Sequence, residues 1–277
     1  MSELILPTRA AAEPLAAAEA APAACANCEA PLVGEFCARC GQRAWRGRFT
    51  LRAIFAQHVA GALDLDRGLL FTFVELSRRP GNMVRDYVRG HTVSYANPVK
   101  YFLVVGTLTT LVYVKTGLAG EMASQIALEI TTGTRGRLSP GAGALVEMIS
   151  SYFTLLLAFT LPTAAVATRW VFRRAGYNYA EHLIFNAYTG AQQCFLMIAA
   201  LLLGAAVGVH PQDSLNWSVP AVIGYYVWAL AQFTGGRRVP ALLRGVLATF
   251  LAYTTFILLM AVLLIAAAVL IKLVLLA

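Results

Sequence analysis

The chain has 277 residues, 58% of them apolar and only 13% charged, with 22 Lys/Arg against 14 Asp/Glu. A soluble domain carries about 25% charged residues and roughly 45–50% apolar ones. A mean hydropathy of +0.65 therefore excludes a simple cytosolic enzyme, a disordered chain and a small disulfide-stapled module. The net charge of +8 is read as membrane orientation and attraction to anionic head groups, with no nucleic-acid partner expected.

Residues 1–24, rich in Ala, Pro and Glu, offer little to bury. They lack both a basic lead and a sustained apolar core, so they read as a flexible tail rather than a signal peptide. Residues 25–44 then carry four of the five cysteines, as Cys25-Ala-Asn-Cys28 and Cys37-Ala-Arg-Cys40. Each Cys-x-x-Cys pair can wrap one edge of a tetrahedral metal, and zinc accepts four thiolates in that arrangement. The intervening EAPLVGEF is expected to form a β-hairpin turning near Val33-Gly34, which makes a small zinc ribbon whose metal is structural. Disulfides and an iron–sulfur centre are the competing readings of the same residues. A closed four-cysteine site has no open position for catalysis. Cys194, far away in an apolar run, reads as a packing residue.

Residues 45–96 read as amphipathic helices lying in the cytoplasmic membrane interface. Leu51, Ile54, Phe55 and Val59 recur at helical spacing, as do Leu65, Leu69, Leu70, Phe73 and Val74. After Pro80-Gly81, Met83, Val84, Tyr87 and Val88 share one face. The sequence places these apolar faces toward lipid and the arginines toward water. Arg78, Arg79, Arg85 and Arg89 are then either head-group phosphate contacts or positive-inside anchors.

From 97 to 277 the chain reads as an all-α polytopic membrane bundle. A crossing needs about 20 apolar residues, and five stretches qualify, at about 98–116, 149–168, 183–209, 217–233 and 246–276. With the N-terminus inside, eighteen of the 22 Lys/Arg lie in cytoplasmic segments, which sets N-inside and C-outside by the positive-inside rule. Pro162 is expected to kink the second span. Ala and Arg usage points to a bacterial inner membrane. Residues 117–148 form an outer loop, with a short amphipathic helix expected near 121–130.

The third span opens EHLIFNAYTGAQQC. His182, Asn186, Thr189 and Gln193 recur every three or four residues with Glu181 and Gln192 alongside, a polar stripe of about three turns on a helix. It is either a cytoplasm-facing pocket or proton path built on Glu181 and His182, or a set of interhelical hydrogen bonds. Farther along, Ala200, Gly204 and Gly208 make a small-xxx-small face, for packing within the bundle or for a homodimer.

The order of a Cys-x-x-Cys ribbon, SRRPGNMVRDYVRGHTVSYANPVKYFLVV and a later YNYAEHLIF resembles an uncharacterised bacterial inner-membrane family, domain of unknown function 3667. The carrying motifs are Arg79-Pro80-Gly81 and Tyr95-Ala96-Asn97-Pro98, within a likeness read over most of residues 25–200. The chain departs from the pattern at Glu29, where a knuckle glycine is usual, and at Asn186-Ala187-Tyr188, where a His-rich continuation is usual. The resemblance implies architecture and brings no activity. No Walker loop, HExxH, GxSxG or Ser/His/Asp order is present in the sequence. The expected function is a non-enzymatic membrane protein whose ribbon docks a protein partner. A small transporter or channel using the polar stripe, and a lipid-modifying intramembrane enzyme, are the alternatives.

Overall fold

The computed structural model describes residues 24–44, 47–54, 68–118, 121, 153–235, 240 and 242–259. The expected tail, most of the connector between 55 and 67, the outer loop with its 121–130 helix, and the end of the fifth span fall outside these residues. The chain divides between Gly47 and Arg48 into two compact units.

Among its described residues, the first unit is two copies of one turn. In the first, Cys25 N–H donates to Ala30 C=O and Glu29 N–H to Cys25 C=O; in the second, Cys37 N–H donates to Gln42 C=O and Gly41 N–H to Cys37 C=O. Isolated antiparallel bridges Ala24–Pro31 and Phe36–Arg43 close each copy. This replaces the expected β-hairpin. Each Cys-x-x-Cys turn satisfies its backbone groups locally, so the described residues between them form no ladder across Val33-Gly34, which is a bend. The turn requires a positive φ after its second cysteine, met by Gly41 (φ 72°) and, unusually, by Glu29 (φ 59°).

The second unit is helical. After the short α1 (Leu51–Ile54) come α2 (Gly68–Arg78), α3 (Pro80–Val88), α4 (Pro98–Lys115), α5 (Phe153–Val171), α6 (Tyr179–Ala206) and α7 (Pro211–Thr234). A further helix, α8, runs Leu242–Leu259. All five apolar stretches thus contain helix. Among the described residues, however, only α6 and α8 are long and apolar enough to cross a membrane. Helix α4 carries Lys100 and Lys115 near its two ends, and α7 opens on Gln212, Asp213, Ser214 and Asn216, which shortens their apolar middles.

Helix boundaries follow local chemistry. Asn97 caps α4, its side chain accepting from the Val99 and Lys100 N–H groups, with Pro98 at the first position where no N–H is missed. Asn178 caps α6 in a reciprocal box with Glu181. Helix α7 stops at Gly235 in the left-handed region (φ 67°).

Helix α6 is the hub, packed on α4, α5 and α7. It runs parallel to α4, with Tyr101 on Gln192 and Tyr113 on Met197. It runs antiparallel to α7, with Phe185 stacked on Phe233 at one end and Ser214 against Gly204 at the other. Contacts Asn186–Thr168 and Gly190–Leu161 make α5 antiparallel as well. The N-terminal ends of α4 and α6 therefore share one end of the bundle with the C-terminal ends of α5 and α7.

Helix α3 differs from an interfacial helix. Met83, Val84 and Tyr87 are essentially fully buried, and α3 packs on α6 and α7 rather than turning this face outward. Gly81 explains the fit: a Cβ there would lie 2.1 Å from Ala229 C=O and 2.4 Å from Phe233 N, so only glycine allows the approach. Helix α2 does leave Leu70 and Phe71 exposed.

Candidate functional site

The four cysteine sulfurs of the first unit lie within 4.8 Å of one another. Cys25 Sγ is 3.6 Å from Cys40 Sγ, and Cys28 Sγ is 3.5 Å from Cys37 Sγ. All four are free thiols, well beyond the ~2.05 Å of a disulfide. Sulfurs at the corners of a tetrahedron with metal–sulfur bonds of about 2.3 Å would lie roughly 3.8 Å apart, so the residues fit a four-thiolate metal site. The local backbone is shaped for thiolate: N–H groups of Cys40 and, more weakly, Arg39 aim at Cys37 and lower its pKa to about 6, against the opposing effect of desolvation. At Cys28 the Ala30 N–H acts downward, yet desolvation and the neighbouring sulfurs prevail and raise the thiol to about 12. Four crowded sulfurs cannot all ionise alone, and a divalent cation removes that conflict.

Between the cysteine pairs the chain turns outward. Val33 is fully exposed and Phe36 61% exposed. Large apolar side chains on so small a module are available for contact rather than for a core of its own.

The polar stripe of α6 is inside the helical unit, but it does not converge on one point. Glu181 is buried, accepts from the Asn178 N–H to complete the cap and binds Arg48 through both carboxylate oxygens. Asn186 donates to Thr168 Oγ1 and His182 C=O and accepts from Tyr226 Oη. Gln192 accepts from Tyr101 Oη and donates to Ser77 Oγ, toward α4 and α2. Gln193 donates to Val222 C=O on α7, and Thr189 to Phe185 C=O on its own helix. Asn186, Gln192 and Gln193 thus bond from helix to helix, in several directions. His182 stands apart. It is completely buried, neither ring nitrogen has a hydrogen-bond partner among the described residues, and the rings of Tyr177 and Phe233 flank it.

Arginines 78, 79, 85 and 89 do not form a single cluster of one kind. Arg79 is committed to Glu75 and Asp86, with Tyr95 Oη as a third partner. It ties the end of α2 to α3 across the Arg-Pro-Gly corner. Arg85 buries its Nε beside Gly235 at the end of α7. Arg78 and Arg89 are exposed. The glycine face of α6 is also partly spoken for: a Cβ on Gly204 would meet Ser214 Oγ at 1.8 Å, and Gly208 (φ 75°) follows the helix end. Both serve the α6–α7 connection.

Sequence reasoning missed Arg48, whose partner Glu181 is 133 residues away. It also missed Asn178, although Asn-x-x-Glu ahead of an apolar run is the signature of a capping box.

The family described as "Protein of unknown function (DUF3667)" matches residues 66–110. That stretch holds α2, α3 and most of α4, with Arg79-Pro80-Gly81 and Asn97-Pro98, and is narrower than the 25–200 expected from the motifs. No curated protein and no solved structure matches the chain.

Proposed function

We propose that this is a multi-pass membrane protein whose cytoplasmic ribbon, folded around structural zinc, docks a protein partner. The observation that carries this reading is the exposed Val33 and Phe36 on a closed four-cysteine module. A site with four sulfur ligands has no coordination position for substrate, so what it offers outward is shape and apolar surface. The bilayer is the second partner, and the five helices from α4 to α8 are its spans. Support for N-inside, C-outside comes from charge: Arg89, Arg169, Arg173 and Arg174 belong to the bundle end that carries the start of α6 and the end of α5, whereas Lys115, Glu121 and Asp213 belong to the other. A bacterial inner membrane fits this pattern. Head-group phosphates would then meet the exposed Arg78 and Arg89. The packing of Gly204 favours bundle contacts over a homodimer for that face.

A photo-crosslinking residue placed at Val33 or Phe36 in cells tests the docking. A discrete protein adduct that disappears in the Cys37→Ser/Cys40→Ser variant is expected, and adducts to lipid alone would contradict it.

The second reading, a small transporter or channel, rests on His182. A buried imidazole with two unpartnered nitrogens costs about 1–3 kcal/mol for each unmet group. Within α6 this marks His182 and Glu181, rather than the amides, as a proton or cation path. Loss of proton flux in proteoliposomes with His182→Ala would support it, and unaltered flux would refute it.

A further inference from the structure

The second unit begins with a strap. Arg48 Nε and Nη2 grip the Glu181 carboxylate, and Nη2 also donates to Gly176 C=O at 2.7 Å. The next residue, Phe49, is 2% exposed, stacks on Tyr87 at 5.4 Å and accepts at its carbonyl from Asn178 Nδ2. Two consecutive residues thus close the start of α6, where Glu181 and the unpartnered His182 lie. Beyond them the chain is exposed again at Leu51 and Arg52. The strap holds by one buried ring, Phe49, and one charged contact, Arg48 to Glu181. Its charged half is also accessible, since the Arg48 side chain is 55% exposed while that of Glu181 is 4% exposed. Water can therefore replace the guanidinium from outside, after which a buried carboxylate is left without its cation.

The strap directly follows the metal module. The last backbone hydrogen bond of the ribbon is Ala44 N–H to Glu35 C=O, and only Trp45, Arg46 and Gly47 separate it from Arg48. Folding of the ribbon around metal fixes the chain up to Ala44. Loss of metal unfolds a module this small, and the strap's upstream lead changes from an ordered turn to a free chain.

We propose that Arg48 and Phe49 form a latch through which the metal state of the ribbon controls access to Glu181. With metal bound, Arg48 seals the carboxylate. With metal lost, the strap leaves and Glu181 is open to protons and small cations beside His182. This rests on the ribbon being a metal-folded module and is separate from whether that module docks a partner.

The test is carbodiimide modification of Glu181, read by site-resolved mass spectrometry on the full-length protein in lipid nanodiscs. Zinc-loaded wild type is expected to be modified slowly. Arg48→Ala should raise modification about tenfold, and stripping zinc with a chelator should raise it at least threefold in the wild type. Arg48→Lys, which keeps one charge but not the fork, should fall between. Circular dichroism of each sample reports whether the helices persist. Two results would overturn the latch. One is modification that rises in Arg48→Ala but does not respond to zinc removal, which makes the contact a static ion pair. The other is an Arg48→Ala variant modified as slowly as wild type. A protein adduct from Phe36 obtained together with either result would leave the docking reading standing and the latch refuted.

Discussion

The two units are held together by opposite means. Among the described residues, the cysteine module buries Cys25 and Cys37 but leaves Val33 and Phe36 outside, so on the proposed reading its order depends on four sulfurs meeting one ion. The helical unit instead buries aromatic rings in series, Phe49 on Tyr87, Tyr87 on Tyr188 and Tyr188 near Tyr101. It joins its helices with Asn186, Gln192 and Gln193. On the proposed reading the first unit responds to a single chemical event, whereas the second is held by many small contacts.

The largest effect should come from the metal. Cys37→Ser/Cys40→Ser is expected to take bound zinc, measured by atomic emission on purified protein, from one ion per chain to none. The helical content measured by circular dichroism should change little. If the helices melted together with the ribbon, the two units would not be independent.

Next is the tight corner of the helical unit. Gly81→Ala drives a methyl into backbone atoms of α7, at 2.1 Å from Ala229 C=O, and backbone cannot rotate away. Overpacking of this kind costs about 1–3 kcal/mol, to be read as a fall in thermal midpoint in detergent with zinc content unchanged. Asn186→Ala removes bonds to Thr168 and Tyr226. Interhelical polar contacts of this type are worth roughly 0.6–2 kcal/mol, so its midpoint should fall less than that of Gly81→Ala.

The smallest change sharpens the comparison from the other side. Glu29 holds a φ of 59° at the place where the second turn has Gly41. A left-handed residue other than glycine costs on the order of 1 kcal/mol, so Glu29→Gly should tighten zinc binding about fivefold in a chelator competition. An unaltered or weaker affinity would mean that the side chain of Glu29 matters more than its backbone.

Much of this was legible in the sequence, for reasons that differ by region. The cysteine spacing announces a four-ligand site because ligand chemistry depends on few residues close together. The residues between the pairs misled, since eight residues fit a hairpin by length. Their backbone groups are instead spent inside two repeated turns twelve positions apart, Ala24-Cys25 to Pro31 matching Phe36-Cys37 to Arg43. Apolar runs located all five helical stretches, because a run needs no partner to be recognised. Partnership was the hidden part. Arg79-Pro80-Gly81 was visible as a motif, but Gly81 is explained by α7 and Arg79 by Asp86. The polar stripe was visible as a period, but its residues turn to different neighbours. Arg48 carried no local signal, since its role is defined by Glu181, 133 residues away in the sequence.

The measurement that bears most directly on the account is affinity purification of the full-length protein from native membranes at matched abundance. It compares wild type with Cys37→Ser/Cys40→Ser and with Val33→Asp/Phe36→Asp. One protein captured in stoichiometric amount by wild type and lost from both variants is expected, with the second variant still holding zinc. The same set of proteins recovered from all three would contradict the ribbon as a docking module.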